Sequence, residues 1–220
     1  MEILELMKAR HSVRQYEDRP IEAEKREALD ALAAQLNGDS GLNIQIIYDE
    51  PKCFDSFMAH YGKFSGVRNY IALVGKKAPG LDEKLGFCGE RLVLKAQELG
   101  LNTCWVALTH GKSNAKIGKG EKLVCLIALG YGKNKGVSHT SKPMDTLCKA
   151  LEPKPEWFSR GMAAALEAPT AMNQQKFLLE LLPDGKVKAT CGKGFYTELD
   201  LGIVKCHFAL AAGTENFCWA

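Results

Sequence analysis

Two stretches of this chain carry residue types that could do chemistry, and more than 150 residues separate them. The first is Arg10-His11-Ser12-Val13-Arg14, in which two guanidinium forks flank a hydroxyl. Such forks pair with a phosphate or with the polar edge of a ring system. The second is Ala168-Pro169-Thr170-Ala171-Met172-Asn173-Gln174-Gln175, where Thr170 and Asn173 supply a hydroxyl and an amide. Pro169 stiffens that loop and reduces the entropy lost when a ligand orders it. Taken alone, the first stretch equally suits a solvated basic loop. The second equally suits the capped C-terminus of a helix.

Bulk properties narrow the field. Twenty-nine Lys and Arg face 26 Asp and Glu, a net charge of +3. That balance gives neither nucleic acid nor a membrane surface a reason to bind. The longest apolar runs, such as Leu123 to Leu129, fall far short of a bilayer span. Acidic residues stand at the N-terminus where a signal peptide needs basic ones, so a cytoplasmic protein is expected. The eight cysteines are scattered, without CxxC or CxxxC pairs, and several sit in apolar segments such as Val124-Cys125-Leu126. Reduced core thiols are expected, and no Cys/His clustering marks a metal site.

The elements that must position the two stretches follow from periodicity. Helices are expected over about Glu2–Ala9, Glu22–Leu36, Gly86–Leu99, Pro155–Glu167 and Leu199–Ala212. Asn37-Gly38-Asp39-Ser40-Gly41 reads as a break. Strands are expected at Leu42–Tyr48, Tyr70–Val74 and Leu123–Leu129, the last covered on both faces. Phe177–Leu182 and Lys186–Cys191 flank Pro183-Asp184-Gly185, a hairpin signal. Gly130 to Pro143, rich in Gly, Lys and Ser, reads as a loop or linker. The result is an α+β chain, an α/β sandwich.

An apolar helix, Arg10-His11-Ser12-Val13-Arg14, Tyr16, Pro20 and a second helix, taken in that order, resemble the start of the nitroreductase superfamily. Ala168 to Gln175 resembles its Pro-Ser/Thr-x-x-Asn-x-Gln loop, although Lys176-Phe177 alters the aromatic continuation. Gly100-Leu101-Asn102-Thr103-Cys104-Trp105 resembles its Gly-Leu-Gly-Thr-Cys-Trp segment, and the run from Ile127 to Pro143 its strand and basic tail. The chain is thus similar to a divergent branch of that family, which implies FMN as cofactor. By the resemblance, Arg10 and Ser12 hold the phosphate and ribityl chain, with His11 beside them, while Arg14 lies near the ring as a charge stabiliser. Trp105, Val106, Pro169, Thr170, Ala171, Asn173 and Gln175 complete the flavin contacts. Ser141 stands where the family places a basic residue, so the phosphate falls to Lys142 first and Ser141 second. Trp105 serves equally well as a core anchor.

In ordinary members the two signatures lie only tens of residues apart, and two subunits share each flavin. An internal repeat offers a reason for their separation here. Gly89 and Gly100 are spaced like Gly202 and Gly213, Ala96 and Ala209 share an offset, and Cys104-Trp105 is echoed by Cys218-Trp219. We expect a duplicated pseudo-dimer in one chain. Residues 1–143 carry the basic-Ser-basic segment, and residues 144–220 carry the Pro-Thr-x-x-Asn loop. Asn37–Gly41 replaces the lost first loop, and Trp157-Phe158-Ser159-Arg160 is the remnant of a second basic segment. One FMN per chain follows, with a monomer or weak homodimer. The resemblance implies hydride transfer from NADH or NADPH through the flavin to a small acceptor such as a nitroaromatic or quinone, in ping-pong order. Two alternatives stay open: a flavin-binding or delivery protein without turnover, and an enzyme of the same fold with non-nitro chemistry.

Overall fold

The computed structural model describes residues 2–150 and 153–220. They form two compact units: Ala9–Leu81 with Arg91–Ser138, and the described residues of 2–8, 82–90 and 139–220. The elements in chain order are α1 (Ile3–Ala9), α2 (Ala23–Ser40), β1 (Gln45–Ile47), α3 (Phe57–Tyr61), β2 (Asn69–Lys76), α4 (Leu81–Glu98), β3 (Asn102–Val106) and β4 (Glu121–Gly130). After them come β5 (Cys148–Lys149), α5 (Glu156–Ala165), β6 (Phe177–Leu181), β7 (Val187–Cys191) and α6 (Thr197–Ala212).

The unit of Ala9–Leu81 and Arg91–Ser138 is built on a four-stranded sheet, β1-β2-β4-β3, whose pairings are all antiparallel. Tyr70, Ala72 and Val74 on one face of β2, and Ile71 and Leu73 on the other, are all buried. The same holds for Leu126 to Leu129 of β4, so the expectation of a strand covered on both faces is met. Strands buried this way need no polar alternation, which is why their sequences read as continuous apolar runs. Phe54, Phe64 and Tyr70 close one side, with Phe54 and Phe64 edge to face at 5.3 Å.

One expected break is absent. Helix α2 runs through Asn37, Gly38 and Asp39 to Ser40 and is capped by Gly41 in the left-handed region. Tertiary bonding overrides the local signal here. The Asn37 amide brackets Ile44, accepting from its N–H at 2.7 Å and donating to its carbonyl at 2.8 Å. The cysteines distribute as small hydrophobes do: six are buried, Cys191 is half-buried and Cys218 is exposed.

In the other unit the three-stranded sheet β5-β6-β7 stands with α5 and α6. Trp157-Phe158-Ser159-Arg160 lies on α5 and serves packing: Phe158 is fully buried against Phe208, and Arg160 Nε donates to the Ala211 carbonyl at 2.6 Å. Val187 N donates to the Cys218 carbonyl and Ala220 N to the Val187 carbonyl, so Trp219 is bound to the edge of β7.

The first half of α4 crosses α6 backbone to backbone. A Cβ on Gly86 would strike the Leu199 carbonyl and come within 3.1 Å of Ile203 N. A Cβ on Gly202 would strike the Glu83 carbonyl and come within 2.8 Å of Phe87 N. The contact is reciprocal, so it equates Gly86 with Gly202, Glu83 with Leu199 and Phe87 with Ile203. That register lies three residues from the Gly89–Gly202 match suggested by the glycine spacing. Fully buried beside it, His207 places Nδ1 3.0 Å from the Ala164 carbonyl and Nε2 2.9 Å from Glu90 Oε1, joining α4, α5 and α6.

Candidate functional site

The basic segment is an extended strap bonded along both edges. Val13 N donates to the Thr103 carbonyl at 3.0 Å, and Ser12 bridges to Thr103 of β3. On the other edge Tyr16 N donates to Ser65 O at 2.9 Å and Ser65 N to Arg14 O at 3.0 Å, while Glu17 N donates to Tyr131 O at 2.8 Å on the same edge as Val13. Along the strap Val13 and Tyr16 are buried, Ser12 is half-buried and Arg14 is exposed. Arg10, at the end of α1, is buried. Arg14 is exposed and makes no ion pair among the described residues.

The tail after β4 is held close to this strap. His11 Nδ1 donates to the Lys135 carbonyl at 3.1 Å. Gly136, at φ +71°, sits where a Cβ would lie 2.7 Å from the His11 Cβ, so only glycine fits that approach. Lys133 N donates to Gln15 O at 2.9 Å, while the Lys133 and Lys135 side chains are exposed. On β3, Cys104 lies close to the strap, and burial raises its thiol pKa against the opposing pull of Arg14, the Ser12 hydroxyl and Arg10. The Tyr16 hydroxyl, 1 % exposed, has no hydrogen-bond partner, and burial keeps it protonated. Trp105 is half-buried and Val106 buried.

The second stretch is a strained loop on α5's exit. Met172, Asn173 and Gln175 all have positive φ, at 52°, 53° and 44°. Left-handed residues without glycine cost roughly 1–3 kcal/mol each, so the surroundings must hold the loop in shape. They do so through the segment 139–142. Gln175, 4 % exposed, donates to the Thr140 carbonyl at 2.9 Å and to Asn173 Oδ1 at 2.8 Å, and accepts from Lys142 N at 2.8 Å. Asn173 Nδ2 donates to Thr140 O at 3.0 Å, and the Thr170 hydroxyl accepts from Gln175 N at 3.1 Å. Lys142 Nζ donates to the Gln174 and Gln175 carbonyls at 2.7 and 3.1 Å. Ser141 Oγ donates to Leu166 O at 2.9 Å, where His139 Nε2 also points. Ser141 and Lys142 therefore brace the loop, where a phosphate contact was expected of them.

Sequence reasoning missed Asp200. From the first turn of α6 its carboxylate accepts from Ala171 N at 2.9 Å and from Gln174 Nε2 at 2.8 Å. It is 5 % exposed, and burial pushes its pKa up to about 6 against those two bonds. The signal was available, since Asp200 and Lys205 are the charged residues within the apolar run Leu199–Ala212. Also missed was α3, capped by Ser56 and carrying exposed Phe57, Met58 and Tyr61.

The donor set fits an anion with a polar ring edge: a buried guanidinium, a hydroxyl, and an exposed guanidinium not spent on a carboxylate. Among the described residues no group of three or more His, Cys, Asp or Glu side chains could hold a metal ion, and no helix is long and apolar enough to cross a membrane.

Comparison with known proteins agrees on the fold. A family profile described as "Putative TM nitroreductase" matches residues 2–212. The chain is similar to a solved Thermotoga maritima nitroreductase described in the same terms, at 21% identity and TM-score 0.70, covering 96% of this chain and 83% of that one. It is also similar to a nitroreductase family protein of Streptococcus pneumoniae, at 15% identity and TM-score 0.53, covering 67% of this chain and 99% of that one. A Bacteroides thetaiotaomicron protein named as an NADH dehydrogenase/NAD(P)H nitroreductase has 19% identity and TM-score 0.52, covering 66% of this chain and 95% of that one. No curated protein matches. The mixed helix-and-sheet fold is nitroreductase-like.

Proposed function

The chain belongs to the TM nitroreductase family, and from that premise we propose that it is an FMN-dependent oxidoreductase using NADH or NADPH to reduce a small acceptor such as a nitroaromatic or quinone. The observation that carries this reading is the strap at 10–14. The backbone that carries Ser12 and Arg14 is fixed by strand bonding on both edges, so little backbone entropy is lost when their side chains meet an anion. When bound, FMN would supply the two-electron redox chemistry that links NAD(P)H to the acceptor in ping-pong order. Arg10 and Ser12 bind its phosphate and ribityl chain, with His11 alongside. Arg14 would offset the negative charge of a reduced flavin. Trp105 and Val106 line the ring, and Pro169, Thr170, Ala171, Asn173 and Gln175 complete the contacts. Ser141 and Lys142 act through the loop they brace.

The reciprocal crossing of α4 and α6 supports reading the chain as a pseudo-dimer. So does coverage: two neighbours align over 95% and 99% of their own length yet leave about a third of this chain unmatched. On this reading residues 1–143 supply the basic segment and residues 144–220 the loop, one FMN binds per chain, and no second copy is needed. The name of the Bacteroides neighbour supports a nicotinamide reductant. The test is anaerobic addition of NADH or NADPH to the FMN-loaded protein. Bleaching of the flavin absorbance, restored by a quinone or nitroaromatic, is expected. FMN binding without bleaching by either nucleotide would contradict turnover and identify a flavin carrier.

A further inference from the structure

We propose that Asp200 is a positioning residue that latches the loop 168–175 in its ionised form and lets it loosen on gaining a proton. Both carboxylate oxygens are used, Oδ1 by Ala171 N and Oδ2 by Gln174 Nε2, and both partners can only donate. A proton on either oxygen sets a donor against a donor and breaks one of the two bonds. Gln174 has no remedy by turning its amide over, because Nε2 also donates to the Phe195 carbonyl at 2.7 Å. The loop being held is the strained one, so half a latch meets a segment already inclined to relax.

Burial is the main cause of the rise of the carboxyl to about 6, and no charged group contributes to it. The ionisable groups around it are engaged elsewhere or exposed. Lys142 is bound to the Gln174 and Gln175 carbonyls, Lys176 to the Lys193 carbonyl, and Glu83 of α4 to Lys205. Glu198 on its own helix is exposed, and His139 points at Leu166 O. Between about pH 4 and 6 the folded chain keeps a proton on Asp200 that the unfolded chain releases. Global stability therefore falls as pH rises through that window, while the loop gains its latch. A purely structural carboxylate would move both quantities together.

The effect on flavin rests on the function proposed above; the latch itself does not. The test is hydrogen exchange of peptides spanning 168–176 at pH 5 and pH 7.5, corrected for intrinsic rates, in wild type, Asp200→Asn and His139→Gln, with FMN titrations in parallel. In wild type, protection of the loop should be about tenfold or more lower at pH 5, the loss of one charge-assisted bond. Asp200→Asn should fold, since it removes a buried charge without changing shape, yet show a loosened loop at both pH values. His139→Gln should keep the step. FMN affinity should follow the same pattern. A wild-type loop with no step, a step that survives in Asp200→Asn, or a step lost in His139→Gln would overturn the latch. An exchange step without FMN binding at either pH would leave the latch standing and overturn the flavin reading instead.

Discussion

Replacing Gly202 by alanine is expected to destabilise the chain by about 3 kcal/mol or more, lowering the melting temperature by roughly 6–12 °C. The added methyl meets the Glu83 carbonyl and lies 2.8 Å from Phe87 N, and both are backbone atoms of a helix that cannot turn aside. Relief requires α4 and α6 to separate, opening contacts along the whole crossing. Gly86→Ala should cost about the same, because its methyl meets Leu199 O and Ile203 N in the mirrored arrangement. Gly38→Ala is the matched control. It too is a helical glycine, but nothing lies within 4 Å of its added methyl. There a gain of about 0.5–1 kcal/mol is expected, from helix propensity and reduced freedom of the unfolded chain. Thermal melts of the three variants decide the matter, and a neutral Gly202→Ala would rule out the close crossing.

The second large effect lies at His207. Both ring nitrogens face acceptor groups, Ala164 O and Glu90 Oε1, inside a site where both side chains are fully buried. His207→Ala removes one of the donors to that carbonyl and a partner of a buried carboxyl, and leaves a cavity. The expected loss is about 3–5 kcal/mol, the range for breaking a buried pair by removing one member. Replacing both residues together, as Glu90→Leu with His207→Leu, should cost less than the sum of the single losses, since the carboxyl is not left behind without His207. Urea unfolding of the single and double variants tests this. A double variant as unstable as the sum of the singles would contradict the pairing.

The fold was legible where burial is two-sided. The apolar runs of β2 and β4 announce themselves because neither face needs polar residues. The end of α2 was not legible, because Asn37-Gly38-Asp39-Ser40-Gly41 has the local chemistry of a break. Only the distant Ile44 backbone, bracketed by Asn37, shows why the helix continues. In the candidate site, residue types pointed to Arg10, Ser12 and Arg14 because guanidinium and hydroxyl groups are informative at short spacing. The same logic could not show that the Lys142 and Ser141 side chains bond to carbonyls of residues 25 or more positions away in sequence. Asp200 and His207 stand out as polar residues in an apolar helix, but what each does is set by partners the sequence does not bring together. The glycine spacing matches Gly89 with Gly202, whereas the close crossing brings Gly86 and Gly202 into reciprocal contact, because backbone contact depends on geometry that spacing does not encode.

The central claim is that residues 10–14 and 168–175 bind the same flavin. Titrating FMN into wild type, Arg10→Ala, Arg14→Ala and Asn173→Ala, with stoichiometry and affinity read from the flavin spectrum, tests it most directly. Wild type should bind one FMN per chain. Each arginine variant should weaken that single site by roughly 10- to 100-fold, the loss of a hydrogen bond to a charged group. Asn173→Ala should weaken it by about tenfold, with no residual tight site in any variant. Wild-type affinity retained in Asn173→Ala while the arginine variants lose FMN, or the reverse, would show that the two segments do not share a flavin.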